Sequence, residues 1–393
     1  MPKIRRLEIV VANPQIVYYP GQCIRGQVIV ELNEAKKMRG IRVKCRGRAY
    51  IYWTEGSGDN KRHYSASQDY IDNSIVLFGK PPNVSEETIL PAGNYSYPFE
   101  FVLPFGIPGS FEGPIYQGYV RYWLKATIDI PWKFDPEYKT LFTVASVLDL
   151  NTVPNVMASQ QVSDSKTVCC CCCETPPILA SLRIDKAGYV PGEWVVVNAE
   201  FQDGTGRGVQ TIYRTRTYSR REKRFKSHCV VMKHGPVSGG GSDAWVNERF
   251  QIPALPPSQL PGCDIICIQY FVEFKVDVVG TPFDLELPIP ITIGTIPLQS
   301  TVQMYMPSMW PSPEPVVTQQ PYGPPSGVSL PFNMPSPSYR ECMFGKVDTK
   351  ESDDKHAGGN MSYAPSYIYY NWMQPPQPSA PPMTSVWYIS GAP

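Results

Sequence analysis

VYYPGQCIRGQVIVEL, residues 17–32, and AGYVPGEWVVVNAEF, residues 187–201, share one punctuation: a Tyr-bearing lead, a Pro-Gly step, then an alternating apolar run. Laying Pro191-Gly192 on Pro20-Gly21 places Val195, Val197, Ala199 and Phe201 over Ile24, Gly26, Val28 and Val30. Side chains alternate across a strand, so this preserved parity points corresponding residues of both copies to the same side. A second echo follows each copy. VRYWLKATID from Val120 and IQYFVEFKVDV from Ile268 share a period of two and a Tyr-aromatic pair. Each is preceded by a Pro-rich connection, LPFGIPGSFEGP from Leu103 and IPALPPSQLPGCD from Ile252. Two successive domains on one plan account for both echoes.

The same alternation runs through Ile41, Val43, Cys45, Gly47, Ala49 and Ile51, through Val120, Tyr122, Leu124, Ala126 and Ile128, and through Phe283, Leu285, Leu287, Ile289, Ile291 and Ile293. No segment of helical length shows a 3.6-residue period, and short strands separated by Pro and Gly signals predict an all-β protein of antiparallel sandwiches. A chain of 393 residues is long enough for such a pair. The expected organisation is a first sandwich over 1–153, a polar and Cys-rich linker over 154–177, a second sandwich over 178–300, and a Pro/Ser/Tyr-rich tail over 301–393 that reads as disordered.

The net charge of +1 gives no global pull toward nucleic acid or membrane, so any charged partner must be read by a local patch. The opening MPKIRRLEIVVANP carries too short an apolar run for a signal peptide, and no later run approaches the ~18 apolar residues of a span. Eleven cysteines, five of them adjacent, do not form a spaced disulfide framework, and reduced thiols in the cytosol are the expectation. His63, His228, His234 and His356 are scattered without metal-binding spacing, and no nucleophile elbow or phosphate loop is present. An enzyme is not expected.

FEGPIYQGYVRYWLKA (111–126), LDLNTVPNVM (148–157), RIDKAGYVPGEWV (183–195) and IPALPPSQLPGCDIICIQYFV (252–272), in this order, resemble the arrestin family, and most nearly its α-arrestin, or arrestin-domain-containing, branch. The resemblance covers roughly residues 4 to 298. It implies two tandem arrestin-like sandwiches, no cofactor, and a cytoplasmic adaptor, peripheral at plasma membrane or endosomes. Such an adaptor docks on receptor or transporter tails and links them to endocytic, sorting or ubiquitination machinery. A signalling scaffold that recruits no ubiquitin ligase is the alternative, and a thiol or metal protein built on the cysteine run is a further one.

α-Arrestin tails usually carry PPxY motifs, in which the prolines preform an extended helix for the aromatic groove of a WW domain. This chain has only SPSY and APSY, so Pro337 with Tyr339 and Pro365 with Tyr367 are degenerate candidates for WW-domain ubiquitin ligases. Phosphate or anionic-lipid contact is expected of two basic sets, Arg42, Lys44, Arg46 and Arg48 on one strand face, and Arg214, Arg216, Arg220, Arg221, Lys223 and Arg224 in a hairpin. A solvated strand face explains either set equally well, and no nucleic-acid partner is expected. Cys169, Cys170, Cys171, Cys172 and Cys173 admit S-acylation or packing as small hydrophobes, and their adjacency argues against a zinc site.

Overall fold

The computed structural model describes residues 4–14, 16–81, 84–113, 118–167, 176–203, 209–217, 227–233, 241–278, 284–305, 338–351, 354 and 357–372. The first half of the chain forms β1 (Ile4–Val11), β2 (Val17–Tyr18), β3 (Cys23–Leu32), β4 (Lys36–Met38), β5 (Gly40–Glu55), β6 (Arg62–Gly79), β7 (Thr88–Leu90), β8 (Gly93–Val102), β9 (Phe111–Glu112), β10 (Gly118–Asp129) and β11 (Glu137–Val144). One sheet runs β1-β3-β8 and the other β2-β11-β10-β5-β6. The second half supplies β12 (Gln160–Lys166), β13 (Ile178–Ile184), β14 (Gly188–Tyr189), β15 (Trp194–Asp203), β16 (Val209–Thr217), β17 (Ser227–Lys233), β18 (Ser242–Gln251), β19 (Tyr270–Val278) and β20 (Leu285–Ile293). Its sheets run β12-β13-β15-β18 and β14-β20-β19-β16-β17. The all-β expectation of two tandem antiparallel sandwiches is borne out.

The alternating residues do what their parity demands. Ile24, Val28, Ile41, Val43, Cys45, Ala49, Val120, Leu124, Val195, Val272 and Ile293 are all fully enclosed. Burying each larger apolar side chain contributes about 1.5–3 kcal/mol before chain entropy is counted.

The duplication extends to hydrogen bonds. β2 and β14 run parallel to the last strand of their own sandwiches, Val17 opposite Thr143 and Gly188 opposite Thr292. Gly21 and Gly192 then turn with φ of 84° and 90°, a conformation open to glycine at little cost. Tyr122 donates to the Pro108 carbonyl and Tyr270 to the Pro256 carbonyl, both at 2.7 Å. Ser110 and Ser258 each accept from a terminal-strand amide, Val144 and Ile293, at 2.9 and 2.8 Å. The Tyr122 ring lies over Gly47, where a Cβ would come within 2.4 Å of it.

Two boundaries differ from the sequence reading. Residues 160–166, read as linker, form β12 in register with β13, from Gln160 opposite Ile184 to Lys166 opposite Ile178. An edge strand is solvated on much of its surface and tolerates polar side chains, which is why QQVSDSK read as connection. Part of the segment read as tail is also folded. Helix α1 (Gln299–Tyr305) is followed, among the described residues, by β21 (Ser338–Glu341), β22 (Val347–Asp348), β23 (Ala357–Gly358), β24 (Ser362–Tyr363) and β25 (Ser366–Tyr369). β21 pairs with β25, β22 with β24, and β23 adds in parallel to β11.

This strap lies where the two Pro-Gly corners meet. Val17, Tyr19, Val190, Leu150, Leu298, Val302, Ile368, Tyr370 and Trp372 form one apolar cluster drawn from both sandwiches, α1 and the strap. Main-chain bonds fix the strap to the second sandwich, Tyr370 N–H to the Pro191 carbonyl and Met343 N–H to the Ala254 carbonyl, each at 3.1 Å. Side chains fix it to both. Tyr367 donates to Ser110 O at 3.1 Å, Tyr370 to Thr295 O at 2.7 Å and Tyr363 to Phe142 O at 3.2 Å.

Candidate interaction face

Three adjacent strands of the first sandwich turn a cationic face away from the core. Arg42, Lys44, Arg46 and Arg48 of β5 lie beside Arg121, Trp123 and Lys125 of β10, and Lys125 lies opposite Lys139 of β11. Lys44, Lys125 and Lys139 therefore form a row across the sheet. Like charges directly opposite one another are destabilising unless counter-charges are supplied, so the face requires carboxylates. It obtains them from three places.

The hairpin strand β6 supplies the first set. Lys44 reaches Asp72 at 2.6 Å, Arg46 reaches Asp72 at 3.5 Å and Arg48 reaches Asp69 at 2.8 Å. The Lys44 hydrogen bond, with Lys44, Arg46 and Arg48 nearby, holds the Asp72 carboxyl below its ordinary range despite some desolvation. β9, β10 and β11 supply the second: Arg42 reaches Asp129 at 2.7 Å and Lys125 reaches Glu137 at 2.6 Å. Arg121 holds Glu112 of β9 through two bonds, beneath the Tyr119 ring, whose centroid is 3.8 Å from the guanidinium.

The strap supplies the third set. Lys139 donates to Asp354 at 2.6 Å with both side chains only 3% exposed, and Lys125 approaches the same carboxylate at 3.5 Å. Tyr119 donates to Glu351 at 3.0 Å. Lys139 and Arg46 also lie over the Trp123 ring, at 4.9 and 5.9 Å from its centroid. The strap thus brings Glu351 and Asp354 to the cationic face, where Arg121 and Trp123, on the outward parity of β10, are buried.

Two sets of candidate residues already have partners within the chain. The stripe Arg42 to Arg48 is not a bare cationic surface, because the β5–β6 register sets Asp72 opposite Arg46 and Asp69 opposite Arg48. Tyr339 and Tyr367 are not displayed for a groove. The Tyr367 hydroxyl is spent on Ser110 and its ring is 6% exposed, while the Tyr339 hydroxyl lies 3.1 Å from that of Tyr19. Pro365 lies between β24 and β25, where its carbonyl accepts from Cys342 N–H, and Pro337 lies outside the described residues. Arg214 and Arg216 are on β16, paired with β17 and β19, while Arg220, Arg221, Lys223, Arg224 and Cys169 to Cys173 also lie outside the described residues.

Lys125, Lys139, Glu351 and Asp354 were not singled out from the sequence. The signal was present in part, since the same alternation that points Tyr122 and Leu124 inward points Arg121 and Lys125 outward. Among the described residues no group of three His, Cys, Asp or Glu is placed to hold a metal ion. No helix there is long and apolar enough to cross a membrane.

Comparison with known proteins agrees with this architecture. Residues 7–151 match the arrestin (or S-antigen) N-terminal domain and residues 175–298 the arrestin C-terminal domain. Arrestin domain-containing protein 17 of Caenorhabditis elegans is 32% identical, over 94% of this chain and 100% of that protein. Thioredoxin-interacting protein of Sus scrofa is 30% identical over 75% of each chain. Arrestin domain-containing protein 1 of Mus musculus is 27% identical over 83% of this chain and 72% of its own length. With duplicated sandwiches joined at paired Pro-Gly corners and both domain patterns matched in order, the chain belongs to the arrestin family, in its α-arrestin branch.

Proposed function

We propose that this arrestin-type adaptor serves membrane-protein trafficking from the cytoplasmic side, peripheral at plasma membrane or endosomes. It takes acidic or phosphorylated tails of receptors or transporters on the cationic face of its first sandwich, and links them to endocytic, sorting or ubiquitination machinery. The observation that carries this reading is the buried Lys139–Asp354 pair, with Lys125 and Tyr119 alongside, in which the chain's own acidic segment already occupies the face. A row of lysines that binds carboxylates in cis has the donors to bind carboxylates or phosphates in trans. The adaptor reading needs no catalysis and no cofactor.

The test is exchange. In the full chain, Glu351→Ala with Asp354→Ala is expected to raise affinity for an acidic phosphopeptide about tenfold, as read by fluorescence anisotropy. Lys125→Glu is expected to abolish it. Equal affinity in all three proteins would remove this face from consideration.

Ligase recruitment through Pro337/Tyr339 and Pro365/Tyr367 then requires the strap to leave, since a WW domain needs the tyrosine that Ser110 now holds. The burial of Tyr367 favours a second reading, a scaffold that recruits no ubiquitin ligase. WW-domain pull-down that stays negative in the strap-released double variant would select it.

A further inference from the structure

The turn between β10 and β11, at the opposite end of the sheet from the β5–β6 hairpin, displays an aromatic tip that the adaptor reading does not use. Its sequence is IPWKFDP, residues 130–136. The turn is a built structure. Asp135 accepts from Ile130 N–H at 2.8 Å, Ile128 N–H donates to the Pro136 carbonyl at 3.0 Å, and Ile130 is buried beneath it. On this base Trp132 is 99% exposed and Phe134 78% exposed. Trp132 also has a φ of 61°, in the left-handed region that bulky residues rarely occupy.

A glycine would fit that backbone with less strain, and the indole makes no packing contact that would justify the conformation. Strain held at an exposed large side chain points to a role outside the fold. Between the two aromatics stands Lys133, exposed and with no ion-pair partner among the described residues. Arg39, anchored to Asp129 at 2.7 Å, and Lys80, whose N–H bonds to the Arg39 carbonyl and whose ammonium pairs with Glu86 at 3.1 Å, lie at the same end.

We propose that this turn is a membrane-contact tip, in which Trp132 and Phe134 enter the headgroup region of an anionic bilayer while Lys133 meets lipid phosphate. Indole and phenyl rings settle at that depth because it offers apolar contact together with water, and a lysine beside them adds attraction to negative headgroups. The proposal goes beyond the adaptor reading, because lipid contact here requires neither cargo nor release of the strap.

The test uses the full chain and vesicles of phosphatidylcholine with phosphatidylserine. Trp132→Ala with Phe134→Ala is expected to lower co-sedimentation about tenfold or more, the loss of two part-buried aromatic contacts. Lys133→Glu is expected to lower it several-fold, in a salt-dependent way. Trp132→Gly guards against a folding artefact: membrane binding should fall while the melting temperature stays level or rises. Unchanged partitioning of the double aromatic variant would overturn the proposal. So would loss of a concentration-dependent dimer in the same variant with lipid binding intact, which would make the tip a self-association contact. Anisotropy with the phosphopeptide is expected to be unaffected throughout, so failure of the lipid proposal and failure of the cargo reading are distinguishable.

Discussion

The corner at Tyr19 to Gln22 and the corner at Val190 to Glu193 have one backbone and two chemistries. In the first, the Gln22 side chain accepts from Tyr19 N–H at 2.9 Å. In the second, Glu193 accepts from Val190 N–H at 3.0 Å and also takes Lys186 and the hydroxyl of Thr301 on α1. Gly21 faces the ring of Phe105, which is 82% exposed, whereas Gly192 lies directly beneath the strap, where a Cβ would come within 2.0 Å of Tyr370 O. Duplication conserved the scaffold, and the two copies diverged where α1 and the strap close over one corner and leave the other partly open. The buried acid belongs to the covered corner because only there are a lysine and a hydroxyl enclosed with it.

Breaking that comparison has its largest effect at the acid. Glu193 is fully buried, so Glu193→Ala strands Lys186 and is expected to cost about 3–5 kcal/mol in urea denaturation. Gln22→Ala removes one neutral hydrogen bond from the equivalent slot and is expected to cost about 1 kcal/mol. Equal losses would show that the second corner carries no special electrostatic burden.

The glycines give the next effect. Either Gly→Ala forces a side chain into the left-handed region, which costs of order 1 kcal/mol. At Gly21 the exposed Phe105 ring can swing aside. At Gly192 the obstacle is main chain, so Gly192→Ala is expected to lift the strap as well, for a total near 2–3 kcal/mol. Hydrogen exchange should become faster at Ser366–Tyr369 in Gly192→Ala and stay unchanged in Gly21→Ala.

The tyrosines sharpen the resemblance. Tyr122→Phe and Tyr270→Phe each remove one 2.7 Å bond to a proline carbonyl and should each cost about 1 kcal/mol in the same denaturation experiment. A large inequality would mean that these matched bonds do different work in the two sandwiches.

The fold was legible because its determinants are local in sequence. The Pro-Gly corners, the parity of Ile24 to Val30 and the alternation of Val120 to Ile128 are all periods of two read along one strand. The interaction face was legible only by half. Its cations could be found on β5, but their counter-ions come from cross-strand register, which sets Asp69 and Asp72 against Arg48 and Arg46, and from a strap more than 200 residues further along the chain than Lys139. The strap itself was hidden by composition. Tyr363, Tyr367 and Tyr370 read as tail residues rich in hydroxyls, yet Tyr367 and Tyr370 bury their rings, Tyr363 half-buries its own, and all three satisfy the hydroxyl on a carbonyl, which a sequence scan for alternation does not detect.

The smallest effect separates the two covered carboxylates by pH. Burial alone pushes Asp354 up, but the Lys139 hydrogen bond and charge, the Glu351 amide and Lys125 outweigh it and leave the carboxyl below its ordinary value of 3.8. At Glu193 burial dominates over Lys186, the Val190 amide and Thr301, and the carboxyl lies above its ordinary value of 4.5. A depressed carboxyl gives stability that is full above its unfolded value and is lost as pH falls through the folded one. A raised carboxyl has the opposite sign, since protonation is easier in the folded state. Acidification below about pH 4 should therefore loosen the strap while the Glu193 corner contributes no loss of its own. Hydrogen-exchange protection near pH 3 is expected to fall at Ser366–Tyr369 before Trp194–Asp203, whereas in Asp354→Asn, whose strap is already loosened and no longer titrates, it should be low at Ser366–Tyr369 at neutral pH and fall no further on acidification. Simultaneous loss of protection in the unaltered protein would mean that strap and sandwich open as one unit, and the two corners would then differ in chemistry without differing in behaviour.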